Sequence, residues 1–354
     1  MKKIILIIFG FIFLNAQTLN FVLPDEDNAE TNRPQQTTTT QNGVTTTVED
    51  VEEFDDTYVT ISTKIDLAVV IDKRRFYRFI PSIMNSFIAY FTQKGIDYHI
   101  ALYNSDVNFS KIPQKDIIFY ATDPKELAGL KDYNKTFYIP LINKADANTS
   151  DLNVTGENIY FGCVDLKAQT KKLAQLIDSK TYVVTDNTLL AKRLMNYEQN
   201  ISYIRDVFIF PEIKYWKLKN SFIIFNTSTN KTAQVLSKIT QKDIDTKLAL
   251  TSQIGYDPFM IMLTQPADVE KLIIANSIIH PPLLINEYAN LLNTNIRYNW
   301  INYAGCILAN KAYNAQNGED QYYMSDFNIY IFNNQINYKT KLYRIIYGAF
   351  KEVE

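Results

Sequence analysis

The sequence predicts an α/β fold of mostly parallel sheets flanked by helices, divided into two lobes. Three observations predict it. Apolar runs of strand length alternate with helix-length stretches along most of the chain, the rhythm of repeated βαβ units. The opening strand, Ile65-Asp66-Leu67-Ala68-Val69-Val70-Ile71-Asp72, is an apolar run long enough for a fully buried parallel strand. The strands are also too numerous for one sheet of ordinary width, so they are expected to form two.

The rhythm is clearest over 65–104. Ile65–Asp72 reads as a buried strand, Lys73 to Lys94 as one helix stopped by Gly95, and Ile96–Tyr103 as a second strand parallel to the first. Further strands are expected over 116–122, 136–142, 159–165, 181–185, 207–210, 221–225 and 248–250. Asp123-Pro124-Lys125-Glu126 carries cap chemistry with Pro at the first helical position, so a short helix follows it. Helices are expected over 166–177 and 189–197, through Val235 and Ile239, and over 258–264, 267–276, 283–293 and 300–314. Phe327–Phe332 and Ile336–Tyr343 flank Asn333-Asn334-Gln335 and read as a closing hairpin.

Ahead of this body lie two segments of different character. Lys2 and Lys3, the apolar run Ile4–Leu14, and Leu14-Asn15-Ala16 before Gln17 form the pattern of a secretory signal peptide over 1–16. No later stretch is apolar for long enough to span a bilayer, so the mature chain is expected to be exported, soluble and periplasmic. Residues 17–60 are poor in bulky apolar side chains and rich in Thr and Gln. Within them, 24–56 carry ten acids against the single Arg33. This composition cannot offset the entropy of ordering, so a disordered acidic linker is expected there, either a solvated spacer or an arm that docks on a basic partner. The domain proper is expected over 61–354, with lobe 1 at about 64–160 plus a later segment and lobe 2 at about 161–255 plus the C-terminal segment.

The composition excludes several functions. The formal net charge of −2 conceals only a weak positive balance on the body, which is not a nucleic-acid footprint. His99 and His280 are the two histidines, and no His/Cys cluster has the spacing of a metal site. His99 lies within a strand and reads as structural. No phosphate loop, dinucleotide fingerprint or Gly-x-Ser-x-Gly motif occurs, so no cofactor and no catalytic residue is assigned and the chain is read as a non-enzyme. Cys163 and Cys306 are expected to be two buried free thiols rather than a disulfide. Trp216 and Trp300 read as packing residues before they read as sugar platforms.

The order of the pieces resembles the type I periplasmic-binding-protein superfamily over about 64–350. Phe161-Gly162-Cys163-Val164-Asp165 resembles the strand that crosses into the second lobe. Ser221–Phe225, with its helix and Leu248–Tyr256, resembles the return. Lys271-Leu272-Ile273-Ile274-Ala275-Asn276-Ser277 and the closing hairpin resemble its last section. The resemblance implies two lobes about a hinged cleft. Its members include solute-binding proteins that serve importers and a lipoprotein branch that activates cell-wall synthases by protein contact. The chain departs from the amino-acid binders at one place. Their Gly- and Ser-rich turn after the first strand is replaced here by Asp72-Lys73-Arg74-Arg75-Phe76-Tyr77-Arg78. Asp72, Lys73, Arg74 and Arg75 are therefore the candidate binding residues: the three bases could hold an anionic group at a helix start, face a partner, or form a solvated helix end.

Asn134, Asn148, Asn153 and Asn200 begin N-x-[ST] sequons, each with an acid two residues upstream: Asp132, Asp146, Asp151 and Glu198. This extended pattern resembles the sequon of epsilonproteobacterial N-glycosylation. The functional expectation is an exported, non-enzymatic envelope protein that works through protein–protein contacts, as a scaffold or accessory of cell-wall, secretion or flagellar machinery. The alternative is the solute-binding receptor of an ABC-type importer.

Overall fold

Lobe 1 begins with β1 (Lys64–Ile71), six of whose eight side chains are apolar and wholly buried. The computed structural model describes residues 64–147, 156–278 and 281–353. The expected signal peptide and linker, Asn148, Asn153 and His280 lie outside the described residues. After β1 comes α1 (Ile80–Gln93), and the chain returns in β2 (Asp97–Asn104), parallel to β1 from Lys64–Asp97 through Ile71–Asn104. Both strands therefore end at one level. β3 (Asp116–Phe119), β4 (Thr136–Ile139) and β5 (Ile159–Phe161) extend the sheet on the other side of β1, all parallel.

The chain first crosses to lobe 2 through Gly162–Asp165. Asp165 caps α2 (Leu166–Ala174) by accepting from Ala168 N at 2.8 Å. β6 (Thr181–Thr185), α3 (Leu189–Glu198), β7 (Ile204–Ile209), β8 (Phe222–Asn226), α4 (Thr229–Gln241), β9 (Leu248–Thr251) and β10 (Leu272–Asn276) follow in the same winding. A second crossing, which begins at Ser277, returns the chain to lobe 1, where α5 (Leu283–Leu291) and α6 (Trp300–Asn317) cover the sheet. β11 (Tyr323–Met324), β12 (Ile329–Phe332) and β13 (Gln335–Ile336) then finish an eight-stranded sheet of order β11-β12-β13-β5-β4-β3-β1-β2. A third crossing at 337–340 leads to β14 (Lys341–Ile346) and β15 (Ala349–Val353), which close the seven-stranded lobe 2 sheet β15-β14-β10-β9-β8-β6-β7. No helix among the described residues is long and apolar enough to cross a membrane.

Helix α6 is buried on nearly every side. It lies so close to α1 and β3 that a Cβ at Gly305 would sit 3.2 Å from the Phe87 ring and 2.8 Å from Tyr120 Oη. Asn299 caps its start, and Gly318, at φ +71°, ends it in the left-handed region.

Three local expectations are corrected. The helix expected over Lys73–Lys94 is broken: Lys73–Phe76 is one short turn, and α1 starts afresh at Ile80. Pro81 has no N–H to give to the carbonyl of Tyr77, so the ladder cannot run through. The helix expected over 267–276 covers only Pro266–Val269, and Leu272–Asn276 is the strand β10. Its run Leu-Ile-Ile-Ala fits either period, and burial between β9 and β14 settles it as a strand. The closing hairpin is two hairpins. Asn333 and Asn334, both at positive φ, turn β12 into β13 in lobe 1, and Tyr347-Gly348 turns β14 into β15 in lobe 2.

Tyr347 is fully exposed at φ +52°, so its side chain makes no packing contact that would offset the left-handed backbone. Tyr347→Asn is expected to raise the unfolding free energy by about 1 kcal/mol, read as a higher denaturant midpoint at unchanged slope. A lowered midpoint would contradict this account of the turn.

Candidate functional site

In open α/β sheets, ligands bind beyond the carboxyl ends of the strands. At the end of β1, Asp72 Oδ1 accepts from Arg74 N at 3.0 Å and Arg75 N at 3.1 Å. The backbone donors at the head of the Lys73–Phe76 turn are thus occupied by the chain's own carboxylate. Lys73 N donates to Asn104 Oδ1, at the end of β2, at 3.0 Å. The Arg75 guanidinium turns to Thr122 Oγ1 and lies 3.9 Å from Glu126. Lys73 and Arg74 have no carboxylate partner among the described residues. Of the four residues expected from sequence, the structure therefore joins Asp72 and Arg75 in one polar cluster and leaves the other two side chains apart from it.

The same arrangement recurs around the rim. Beyond β3, Glu126 Oε1 accepts from Thr122 N at 3.2 Å and Asp123 N at 2.9 Å, and Asp123 accepts from Lys125 N. Beyond β6 in lobe 2, the nearly buried Asp186 carboxylate accepts from the Thr188 hydroxyl at 2.8 Å and from Thr188 N and Ser228 N, and it pairs with Lys231 at 3.0 Å. Burial works against its ionisation, but Lys231 and these hydrogen bonds prevail and hold the carboxyl below the usual range. At three strand ends, N–H groups that could grip an anion are already satisfied internally.

Among the described residues several contacts fasten the lobes, including an apolar cluster that joins Trp300 of α6 to Leu190, Leu194 and Ile254 of lobe 2. Asp146, beyond β4, accepts from the Arg193 guanidinium and, at 2.5 Å, from the Tyr197 hydroxyl, both on α3 of lobe 2. On another side Tyr298, just before α6, packs on lobe 2 with ring centroids 5.4 Å from Tyr256 and 5.9 Å from Phe350, and Arg297 hydrogen-bonds Tyr256. Between them lies the hinge. Gln253 N donates to Gln169 Oε1 at 2.9 Å, Gln253 Oε1 accepts from Ser277 N at 2.8 Å, and Gln253 Nε2 donates to Asn276 Oδ1 at 2.5 Å. Gln169 Nε2 reaches Ser277 Oγ at 2.8 Å, and that hydroxyl lies 3.2 Å from Thr340 Oγ1. Tyr338 donates to Gly162 O at 2.7 Å. All three crossing segments are held in this lattice.

The sequence reading passed over these residues. Gln169, Gln253, Asn276 and Ser277 are buried, but nothing in an uncharged polar side chain announces burial in a sequence. The other titratable groups lie elsewhere. His99 Nδ1 meets Asp66 Oδ1 at 2.7 Å on the exposed opposite side of the lobe 1 sheet. Cys163 and Cys306 are buried and unbonded, and burial pushes the Cys306 thiol up to about 12. Glu198 ends α3 in an apolar shell that includes Leu173, Leu194, Ile201 and Ile224, with Asn226 Nδ2 2.9 Å from each carboxylate oxygen. Burial pushes its pKa up to about 7.

Among the solved structures, the chain is similar to an ABC-transporter substrate-binding protein of Desulfitobacterium hafniense in complex with Leu, at TM-score 0.55 and 9% identity over 82% of this chain and 100% of that one. It is similar to a branched-chain amino acid transporter protein of Thermus thermophilus with bound valine, at TM-score 0.56 and 13% identity over 82% and 95% of the two chains. It is equally similar to LpoA of Haemophilus influenzae, at TM-score 0.56 and 10% identity over 82% of this chain but only 59% of LpoA. No protein-family model and no curated protein sequence matches the chain. The fold is that of the type I periplasmic binding proteins, as the order of the strands implied.

Glu198 supplies a pH test of the lobe 2 core. Its folded pKa of about 7 lies above the ordinary 4.5, so the native state holds the proton more tightly than the unfolded chain does. The stability this confers is complete below about pH 4.5 and is lost as pH rises through about 7, in all about 3 kcal/mol. Denaturation from pH 5 to 8 is expected to show this decline in the wild type and a shallower one in Glu198→Gln. Parallel profiles would contradict the assignment.

Proposed function

We propose that the chain is an exported, non-enzymatic envelope protein that works in the periplasm through protein–protein contacts, on a scaffold related in fold to solute receptors. The observation that carries the reading is the occupation of the rim donors by Asp72, Glu126 and Asp186. An amino-acid carboxylate arriving there would have to displace a carboxylate already bound by two or more donors, with no net gain of hydrogen bonds. The fastening of the lobes by Asp146, Tyr298 and the hinge lattice supports the same reading, since receptors that clamp a solute do so by hinge closure. The second reading, a receptor that feeds an ABC-type importer, has one specific observation in its favour: the free bases Lys73 and Arg74 at a strand end could attract an anionic solute.

Cross-linking of the tagged chain in cells, with mass spectrometry of the captured proteins, separates the two. Recovery of cell-wall, secretion or flagellar components is expected; recovery of an inner-membrane permease would replace the first reading with the second. In vitro, a panel of amino acids and aromatic acids is expected to leave the melting temperature unchanged. A ligand at 100 times its dissociation constant would add about 2.7 kcal/mol, a shift easily seen.

We also propose that the chain is N-glycosylated. Asn134 and Asp132 are both exposed, whereas Asn200 is exposed but its upstream Glu198 is buried against Asn226. Glycopeptide mapping of chain purified from a glycosylating host is expected to find sugar on Asn134 at higher occupancy than on Asn200. The reverse order would show that modification precedes folding.

A further inference from the structure

Helix α5 carries apolar side chains on its exposed face as well as its buried one, with Glu287 and Asn290 set among them. Ile285 and Ala289 are buried against lobe 1, while the opposite face presents Leu283 (72% exposed), Leu284 (59%), Tyr288 (38%) and Leu291 (81%) to solvent. A surface helix ordinarily keeps that face polar. The apolar surface continues onto α1. Ser82 Oγ lies 2.9 Å from Thr294 Oγ1, and Asn85 Nδ2 donates to Leu292 O at 2.8 Å, which sets the head of α1 beside the end of α5. Tyr77 and Phe79, both at least half exposed, stand at that head.

Two features say what covers this face. The exposed parts of the six side chains amount to roughly 800 Å² per copy, about one half of a standard stable protein–protein interface. The face also carries its own electrostatic complement. Glu287 sits on the exposed side of α5, and Arg74 and Arg78 sit at the α1 end; among the described residues none of the three is paired with an opposite charge. A two-fold axis between α5 and the head of α1 would bring the acid of one copy to the bases of the other, twice, around an apolar centre. We propose that this face of lobe 1 joins two copies of the chain in a symmetric dimer. The dimer face shares Arg74 with the candidate site, and the substitutions that test it leave Arg74 untouched.

The test is sedimentation velocity of the full exported chain over a concentration series. A reversible dimer is expected. Leu284→Asp and Leu291→Asp should each weaken it by roughly 30-fold or more, as loss of a central apolar anchor does, with the melting temperature of the monomer unchanged because both side chains are exposed. Glu287→Arg and Arg78→Glu should each weaken the dimer, and the two together should recover most of the loss. A chain that stays monomeric at its highest soluble concentration would overturn the proposal. So would a dimer indifferent to the α5 substitutions, or charge changes that fail to rescue each other.

Discussion

The fold depends on a constraint of satisfaction at the hinge. Gln169, Gln253, Asn276 and Ser277 are wholly buried where three strands pass between the lobes. Each carries donors and acceptors that cost several kilocalories if left unpaired in such a place. Gln253 is answered at its backbone N, Oε1 and Nε2 at once, from α2, from the second crossing and from the end of β10. Those partners belong to segments far apart in sequence, so the lattice can be complete only when the crossings stand in one arrangement. A hydrophobic hinge would tolerate sliding, because apolar contact is non-directional. A lattice of amides tolerates little, because each bond fixes a direction as well as a distance.

The rim extends the same logic. A helix start or a strand-to-helix turn presents unpaired N–H groups, and something negative must answer them. In this chain Asp72 and Glu126 answer groups two to four residues away and Asp186 answers Thr188 N two residues away, so most of the answer is local, with Ser228 N the long-range exception. Local capping favours the folded loops, because the cap is present as soon as the turn forms and no ligand has to arrive. It also commits those N–H groups before any ligand arrives. The substitution of a Gly- and Ser-rich turn by Asp72-Lys73-Arg74-Arg75 thus changes the donor inventory of the site as well as its steric bulk.

Much of this was legible in the sequence. β1, β6 and β8 announced themselves by their apolar stretches Leu67–Ile71, Tyr182–Val184 and Phe222–Phe225, and the alternation of strand and helix pointed to the winding. What remained hidden had physical reasons. Leu272–Asn276 is too short for its period to be read, and only its neighbours β9 and β14 decide it. Residues 337–340 look like the middle of a strand but leave the lobe, since Gln335–Ile336 has already exhausted its pairing with β5 and β12. Lys311, on α6, is buried against the Tyr160 ring, and burial pushes its amine down to about 8. At the candidate site, Asp72 and Arg75 were visible as residue types, but their mutual neutralisation through Thr122 and Glu126 required the return of β3.

Magnitudes decide what holds the lobes together. The Asp146–Arg193 pair is partly wet, and such pairs contribute about 1 kcal/mol at most. The aromatic contacts of Tyr298 with Tyr256 and Phe350 contribute on the order of 1 kcal/mol each beyond the area they bury. The buried hinge lattice outweighs both, because opening it would expose or orphan several amides together. A solute can shift an equilibrium between open and closed lobes only by its difference in affinity for the two states. At the rim, the donors answered by Asp72, Glu126 and Asp186 are already committed, so a ligand there would draw its polar contacts from other groups.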